Sequence, residues 1–321
     1  EWRVRVKVPR PLVTSVSQVA RIRMPPHIAL LVNPHSGRGR AAVTGVRLKE
    51  ALREAGARVH VYTGRSAVDS RRLARLAASD RPDALVAVGG DGLVHQALQA
   101  VVGTGVPLAA VPAGTGNDIA RAFGRPRGSA GEVAAAILRG RTRPADVVRL
   151  RLADGTHRYF LSVLACGFDA RVNERVNGFR FRFGRAGYVA GLLAELRSFR
   201  PIDFEIDVDG RRIAEPGMLV AVGNTAAYGG GMRVCPEAEP DDGLVDVVFV
   251  RRVALGRFLR LFPRVFSGGH IGLEEVVSER GRTVTIHADS GAAYADGERI
   301  GEPPLVCEVV PKAVEMLELT S

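Results

Sequence analysis

The chain has 321 residues, 46% hydrophobic and 25% charged, which suits one large or two ordinary globular domains around a substantial core. No apolar run approaches the ~20 residues a spanning helix requires, so the sequence reads as something other than an integral membrane protein. A formal charge of +11 points to anionic partners: phosphates, nucleic acid or an acidic membrane surface.

Residues 1–23 hold six Arg or Lys against one acid, Glu1, and lack the continuous apolar segment of a secretory signal. They read as a disordered leader or a misassigned start, with a basic, membrane-attracted arm as the functional alternative. Residues 28–150 then alternate strand and helix signals. "HIALLVNP" is a buried strand, followed by "SGRGR" and a helix over about 41–55 that Gly56 ends. "ARVHVYT" is a second strand, and "SAVDSRRLARLAAS" a helix with its stripe on Leu73, Leu76 and Ala77. "DALVAVGG", "LVHQALQAVV" and "VPLAAVPAGTGND" give strand, helix and strand, and "GEVAAAILRG" a further helix before "ADVVRLRL". This alternation predicts a parallel, doubly wound sheet.

After about residue 145, short strands separated by Gly, Pro and Asp turns predict a mostly antiparallel, β-sandwich-like domain with helices near 185–199 and 254–266. "FEIDVDGRRI" is a hairpin candidate on Asp209-Gly210. The expected division is a leader over 1–26, an α/β domain over 27–144 and a β-rich domain over 145–303, with about 304–321 packing back on the first. Cys166, Cys235 and Cys307 lie far apart without metal-ligand spacing, which suggests reduced core thiols in the cytoplasm.

Three loops follow strands of the first half: "NPHSGRG" (33–39), "GGDG" (89–92) and "PAGTGND" (112–118). At the carboxyl edge of a parallel sheet such loops meet ligands. Bare backbone lets a phosphate approach, and the next helix offers free N–H groups. Asp91 among those amides would repel a phosphate unless a cation lies between them, and Mg²⁺ suits a carboxylate shared with phosphate oxygens and water. Asp118 is a second such carboxylate or a helix cap. Neither the Walker pattern nor a strict G-x-G-x-x-G is present.

Taken together, "VNPHSGRG", "VAVGGDGLVHQAL", "VPAGTGNDIARAFG", "PDDGLVDVVFV" and "ADGERI", in that order, resemble the diacylglycerol kinase catalytic family, which includes bacterial lipid kinases, sphingosine kinases and ceramide kinases. The resemblance covers residues 28–321. It implies an ATP-binding α/β domain, a β-sandwich-like second domain, an active site in the cleft between them, and a role in lipid metabolism at the inner face of the membrane. The implied ATP site comprises Asn33, Pro34, His35, Ser36, Gly37, Thr63, Gly89, Gly90, Asp91, Gly92, Leu93, Val94, His95, Gln96, Gly114, Thr115, Asn117 and Asp118, with Asp91 on the Mg²⁺ of Mg-ATP. Most bacterial relatives have Thr where Leu93 stands and Asn-Glu where His95-Gln96 stand, so one hydroxyl contact to phosphate is missing. By the same resemblance Glu298 is the proton acceptor, with Asp296 beside it as a second carboxylate. A structural Mg²⁺ is implied at the Asp242 carboxylate and the carbonyls of Glu239 and Leu244.

Residues 171–200 carry seven arginines and two glutamates interleaved with Phe179, Phe181, Phe183 and Tyr188. They read equally as a surface for anionic phospholipids or as a helix pair with solvated arginines. No nucleic-acid module is recognised. Oligomeric state leaves no signature, and a homodimer stays open. The expected activity is transfer of the ATP γ-phosphate to a hydroxyl of diacylglycerol or a related lipid. NAD kinase shares a "GGDG" loop and a β-rich second domain, but "NPHSG", "PAGTGND" and "DGE" belong with the lipid side. A nucleotide- or lipid-binding regulator with weakened catalysis is the non-enzymatic alternative, and the presence of both Asp91 and Glu298 argues against it.

Overall fold

A computed structural model describes residues 24–167 and 201–320. The basic leader, the 171–200 stretch and the helix expected near 185–199 lie outside the described residues. The first half runs β1 (His27–Val32), α1 (Arg40–Glu54), β2 (Arg58–Thr63), α2 (Ala67–Ser79), β3 (Ala84–Gly89), α3 (Asp91–Val101), β4 (Leu108–Pro112), α4 (Asp118–Ala122) and α5 (Ala130–Arg139). β1 and β3 are buried along their whole length, as uninterrupted apolar runs in a sheet covered on both faces must be. The four strands are parallel in the order β2-β1-β3-β4. Because the chain leaves β1 first to one side and then to the other, a crevice opens beyond the carboxyl ends of β1 and β3. The loops "NPHSGRG" and "GGDG" sit at those two ends.

Local chemistry sets the helix ends. The Ser66 hydroxyl accepts the Asp69 N–H at 3.1 Å at the start of α2, and Ser129 with Glu132 forms a capping box at α5. Gly140, at φ 65°, ends α5 in the left-handed conformation that a side chain disfavours. The α2 stripe holds at Leu73 and Ala77 and departs from expectation at Leu76. Ala74, Ala77 and Ala78 are buried, while Leu76 is 49% exposed. α2 lies against α3 with its small residues inward, because alanines let the two helices approach closely; the larger Leu76 is left on the outer face.

The second half comprises β5 (Thr142–Leu152), β6 (His157–Phe160), β7 (Val163–Gly167), β8 (Ile202–Val208), β9 (Arg211–Gly223), β10 (Val245–Arg251), α6 (Leu255–Leu261), a 3-10 turn (Phe262–Phe266), β11 (Val276–Gly281), β12 (Thr283–Ala288), β13 (Ala293–Ala295), β14 (Glu298–Gly301) and β15 (Leu305–Leu317). Its strand pairs are antiparallel, with a core that includes Phe160, Ile206, Val222, Phe249 and Ile286. Asp209 and Gly210, both at positive φ, turn β8 into β9 as the hairpin signal predicts. β15 spans both halves: Leu305–Val310 and Val314–Leu317 pair with β5, Leu305–Glu308 with β12, and Met316 with Leu108 of β4. The sheet is therefore continuous from one half into the other. Cys166, Cys235 and Cys307 are buried free thiols pushed up to about 12 or beyond by burial.

Candidate active site

A cleft of about 530 Å³ lies between the halves. One wall is made of Asn33, Ser36, Gly37, Gly90, Asp91, Gly92, Leu93, Gln96, Gly114, Thr115 and Asp118; the other includes Ser162, Tyr228, Gly229, Gly230, Tyr294, Asp296 and Glu298. That volume is within the range of small-molecule sites.

The glycine loops of the first half are braced against each other. A Cβ on Gly114 would lie 2.5 Å from the Gly90 Cα, so the two loops touch backbone to backbone and no larger residue fits. The Gly89 carbonyl accepts the N–H groups of Ala113 at 2.7 Å and Gly114 at 3.1 Å. Arg40 donates to the carbonyls of Gly37 and Gly114, tying the first loop to the third. Asn117 uses its side chain within its own loop, accepting the Gly114 N–H at 2.9 Å and donating to the Gly114 carbonyl at 3.0 Å. It is a brace for the loop. The N-cap of α3 is Gly90, which has no side chain to occupy the first turn; its carbonyl accepts the Leu93 N–H at 3.0 Å, so a ligand at this helix end would meet the amides that precede Leu93.

Asp91 and Asp118 converge over Gly116, where an added Cβ would lie 2.8 Å from Asp91 Oδ2 and 3.3 Å from Asp118 Oδ2. Asp91 Oδ1 accepts the Ile119 N–H at 3.0 Å. Asp118 is engaged on both oxygens, with the Arg121 guanidinium on Oδ1 and the Gly230 N–H at 2.8 Å on Oδ2. Burial, and then the charge of Asp118, push the Asp91 carboxyl up to about 6. With Asp118 already engaged on both oxygens, the facing Asp91 carboxylate is the ligand whose charge a hard cation shared with phosphate oxygens and water would relieve; Asp91 fits Mg²⁺.

The opposite wall is set by the hairpin β13–β14. Ala295 pairs with Glu298, leaving Asp296 (φ 52°) and Gly297 (φ 83°) as a two-residue turn. Asp296 points inward. It accepts the Ser162 N–H at 2.8 Å, the Ser162 hydroxyl at 2.6 Å, the Leu161 N–H at 3.2 Å and a bond from His95 Nδ1 at 2.9 Å. Glu298 points across the cleft: a Cβ on Gly92 would lie 2.2 Å from its Oε1. Its carboxylate thus rests at the positive end of α3.

Not every expected residue reaches the cleft. Val94 and His95 are buried behind its wall at 3% and 1% exposure, because only the first turn of α3 and Gln96 face outward there. Gly89 is the last residue of β3 and is held inside the sheet. Pro34 and Thr63 do not line the cleft, and His35 is exposed with its N–H on the Asn33 side chain at 3.1 Å. Sequence reasoning missed Ser66, Ser70, Arg121, Ser162, Tyr228 to Gly230 and Tyr294. The run "YGGGM" (228–232), with three successive glycines at positive φ, was the available signal, since it is bare backbone of the same kind as "GGDG".

The expected structural Mg²⁺ meets a different arrangement. Asp242 Oδ1 accepts the Leu244 N–H at 2.9 Å, and Oδ2 is bonded to the Arg280 guanidinium, whose Nε lies 3.3 Å from Asp246 Oδ1. Among the described residues no group of three or more metal-ligating side chains forms. The carboxylate that the resemblance assigns to a structural Mg²⁺ is thus drawn into an ion pair with a guanidinium, while the Glu239 and Leu244 carbonyls are the other two ligands that assignment names. Arg280→Ala is expected to lower the melting temperature by several degrees by leaving the buried Asp246 unpaired; differential scanning fluorimetry reads the shift.

Residues 27–150 match the family model for the diacylglycerol kinase catalytic domain, and residues 162–318 match that for the YegS C-terminal NAD kinase beta sandwich-like domain. The diacylglycerol kinase of Mycobacterium tuberculosis is 38% identical over 291 residues, spanning 90% of this chain and 94% of that protein. The chain belongs to the diacylglycerol kinase family. The diacylglycerol kinase of Bacillus subtilis is 26% identical over 86% of this chain and 90% of its own. A crystal structure of a diacylglycerol kinase from Bacillus anthracis shares the fold, with a TM-score of 0.72 at 23% identity, covering 91% of this chain and 96% of that one. The molecule is accordingly a lipid kinase, a phosphotransferase, and kinases of this family use ATP.

Proposed function

We propose that this kinase transfers the γ-phosphate of Mg-ATP to a hydroxyl of diacylglycerol or a closely related lipid, working at the surface of an anionic membrane. The observation that carries the reading is the meeting of Glu298 with the N-terminus of α3, which puts a carboxylate from one half against the phosphate-binding loop of the other. In this reading the open amides of α3 and the loops at Gly37 and Gly114 hold the triphosphate, and Arg121 beside Asp118 adds positive charge. Glu298 accepts the hydroxyl proton as the acceptor oxygen attacks. Mg²⁺ on Asp91 would cover the charge on the phosphate oxygens.

A lipid acceptor is favoured by a small apolar cavity of about 90 Å³ beneath α6, room for part of an acyl chain. It is lined by Leu219, Tyr228, Met232, Val248, Phe258, Leu261, Phe262 and Val265, among others. Tyr228 lines both this cavity and the cleft, so an acyl chain in one would bring its headgroup to the other. Nearby, Leu259 and Phe266 are 39% and 42% exposed among Arg260 and Arg264, a combination suited to an anionic bilayer. Among the described residues no helix is long and apolar enough to cross a membrane.

Incubation with labelled ATP, Mg²⁺ and mixed micelles containing diacylglycerol, sphingosine, ceramide or no lipid, with NAD as a soluble acceptor, tests the assignment. Label on the diacylglycerol product is expected; label on NAD alone, or on no acceptor, would refute it. Leu261→Trp, which fills the cavity, is expected to raise KM about tenfold for long-chain diacylglycerol while leaving KM for ATP unchanged.

A further inference from the structure

We infer that His95 is a positioning residue for phosphoryl transfer, holding the turn that carries Glu298 in register with the "GGDG" loop. This rests on the assignment of Glu298 as proton acceptor. His95 itself is 1% exposed and lies behind the cleft wall, so it acts through Asp296 and does not touch the nucleotide.

The contact has a definite direction. The Asp296 carboxylate is an acceptor and takes N–H donors from Leu161 and Ser162, so His95 Nδ1 carries the ring proton and donates at 2.9 Å. Asp296 is 3% exposed and sits at φ 52°, in the left-handed region that side chains disfavour. A turn of that kind keeps its shape when its side chain is anchored. Here the link between β6 and β7 anchors it from one side and α3 from the other. Among the described residues, His95 is the donor to Asp296 that comes from the nucleotide-binding half.

The helix supplies this bond in step with a second contact. Residues three and seven positions apart share one face of a helix. Gly92 meets Glu298, His95 meets Asp296, and Gln99 exchanges bonds with the backbone of Tyr159 at 2.7 and 3.0 Å. One face of α3 is thus stitched to the second half at three successive points. The point adjacent to Glu298 fixes where its carboxylate stands relative to Gly92. Loss of the His95 bond would free the turn on one side and let that carboxylate drift, while the amides that hold the triphosphate stay in place.

The test is kinetic. His95→Leu is expected to lower kcat for the lipid acceptor tenfold or more, with KM for ATP within twofold of wild type. His95→Asn, whose amide N–H can donate to the same carboxylate, is expected to recover most of that loss. In a Glu298→Gln background the further change His95→Leu should leave kcat unaltered, because the acceptor it positions is gone. A residue that merely stabilises the fold would instead lower kcat by the same factor in both backgrounds, and that result overturns the inference, as does a kcat for His95→Leu within twofold of wild type. Should His95→Leu not fold, His95→Ser, too short to reach Asp296, takes its place in the same cycle. An error in the assignment of Glu298 shows separately, as an unchanged rate in Glu298→Gln alone.

Discussion

Asp91→Asn is expected to abolish phosphoryl transfer and, at the same time, to make the protein more stable at neutral pH. Burial and the neighbouring Asp118 push the Asp91 carboxyl up to about 6, whereas in the unfolded chain it titrates near ~4. The folded state therefore holds this proton longer. The stability associated with it is fully present below pH ~4 and is lost as pH rises through about 6. Asparagine has the same shape, still accepts the Ile119 N–H, and carries no charge to bury. Above pH 6 the gain over wild type is on the order of 2 kcal/mol, a shift of a few degrees in melting temperature, and it vanishes by pH 4. Without the carboxylate there is no ligand for the cation on the phosphates, and the rate should fall by about a thousandfold or more. Melting curves between pH 4 and 8, set beside single-turnover rates with labelled ATP, measure both effects. Activity within tenfold of wild type would remove Asp91 from the metal site.

Glu298→Gln is expected to act on chemistry alone. Glutamine occupies the same space against Gly92, so the fold and the nucleotide loops are undisturbed. A positioned base contributes about 10²- to 10⁴-fold, and kcat should fall by that factor while Mg-ATP binding, measured by calorimetry, stays within twofold. A drop in nucleotide affinity with kcat preserved would instead make Glu298 a binding residue. Asp296 is unsuited to the same role despite lying two residues away. Its lone pairs are filled by bonds from Leu161, Ser162 and His95, and it is enclosed.

The two experiments touch the part of the molecule that was most legible in the amino-acid sequence. A buried parallel strand has to be a short, unbroken apolar run, and a phosphate loop has to be bare backbone, so "LVAVGGDG" announces both in eight letters. The order of strands and helices in the first half, the Asp209-Gly210 hairpin and the turn at Asp296-Gly297 are local in the same sense. Contacts between distant segments were not legible. His95 and Asp296 are 201 positions apart, and Asp242 meets an arginine 38 positions away. Nothing near "PDDG" in the chain reveals that a guanidinium supplies its positive charge. The apolar cavity draws its lining from β9, β10, α6 and the segments between, none of which carries a motif. In the α2 stripe Leu73 and Ala77 turn inward as expected and Leu76 does not, for a related reason: which apolar side chain turns inward depends on how close α3 lies, and spacing along one helix does not report that.

β15 carries a mechanical consequence. A strand that pairs with β5 along its length, with β12 at its start and with β4 at Met316 ties the halves together. Swinging them apart as rigid bodies would disturb the β15–β4 pairing at Met316 and Leu108, so substrate is expected to enter by movements of loops and rims. For the same reason the two halves are expected to melt in one transition, which calorimetry of the intact chain would show.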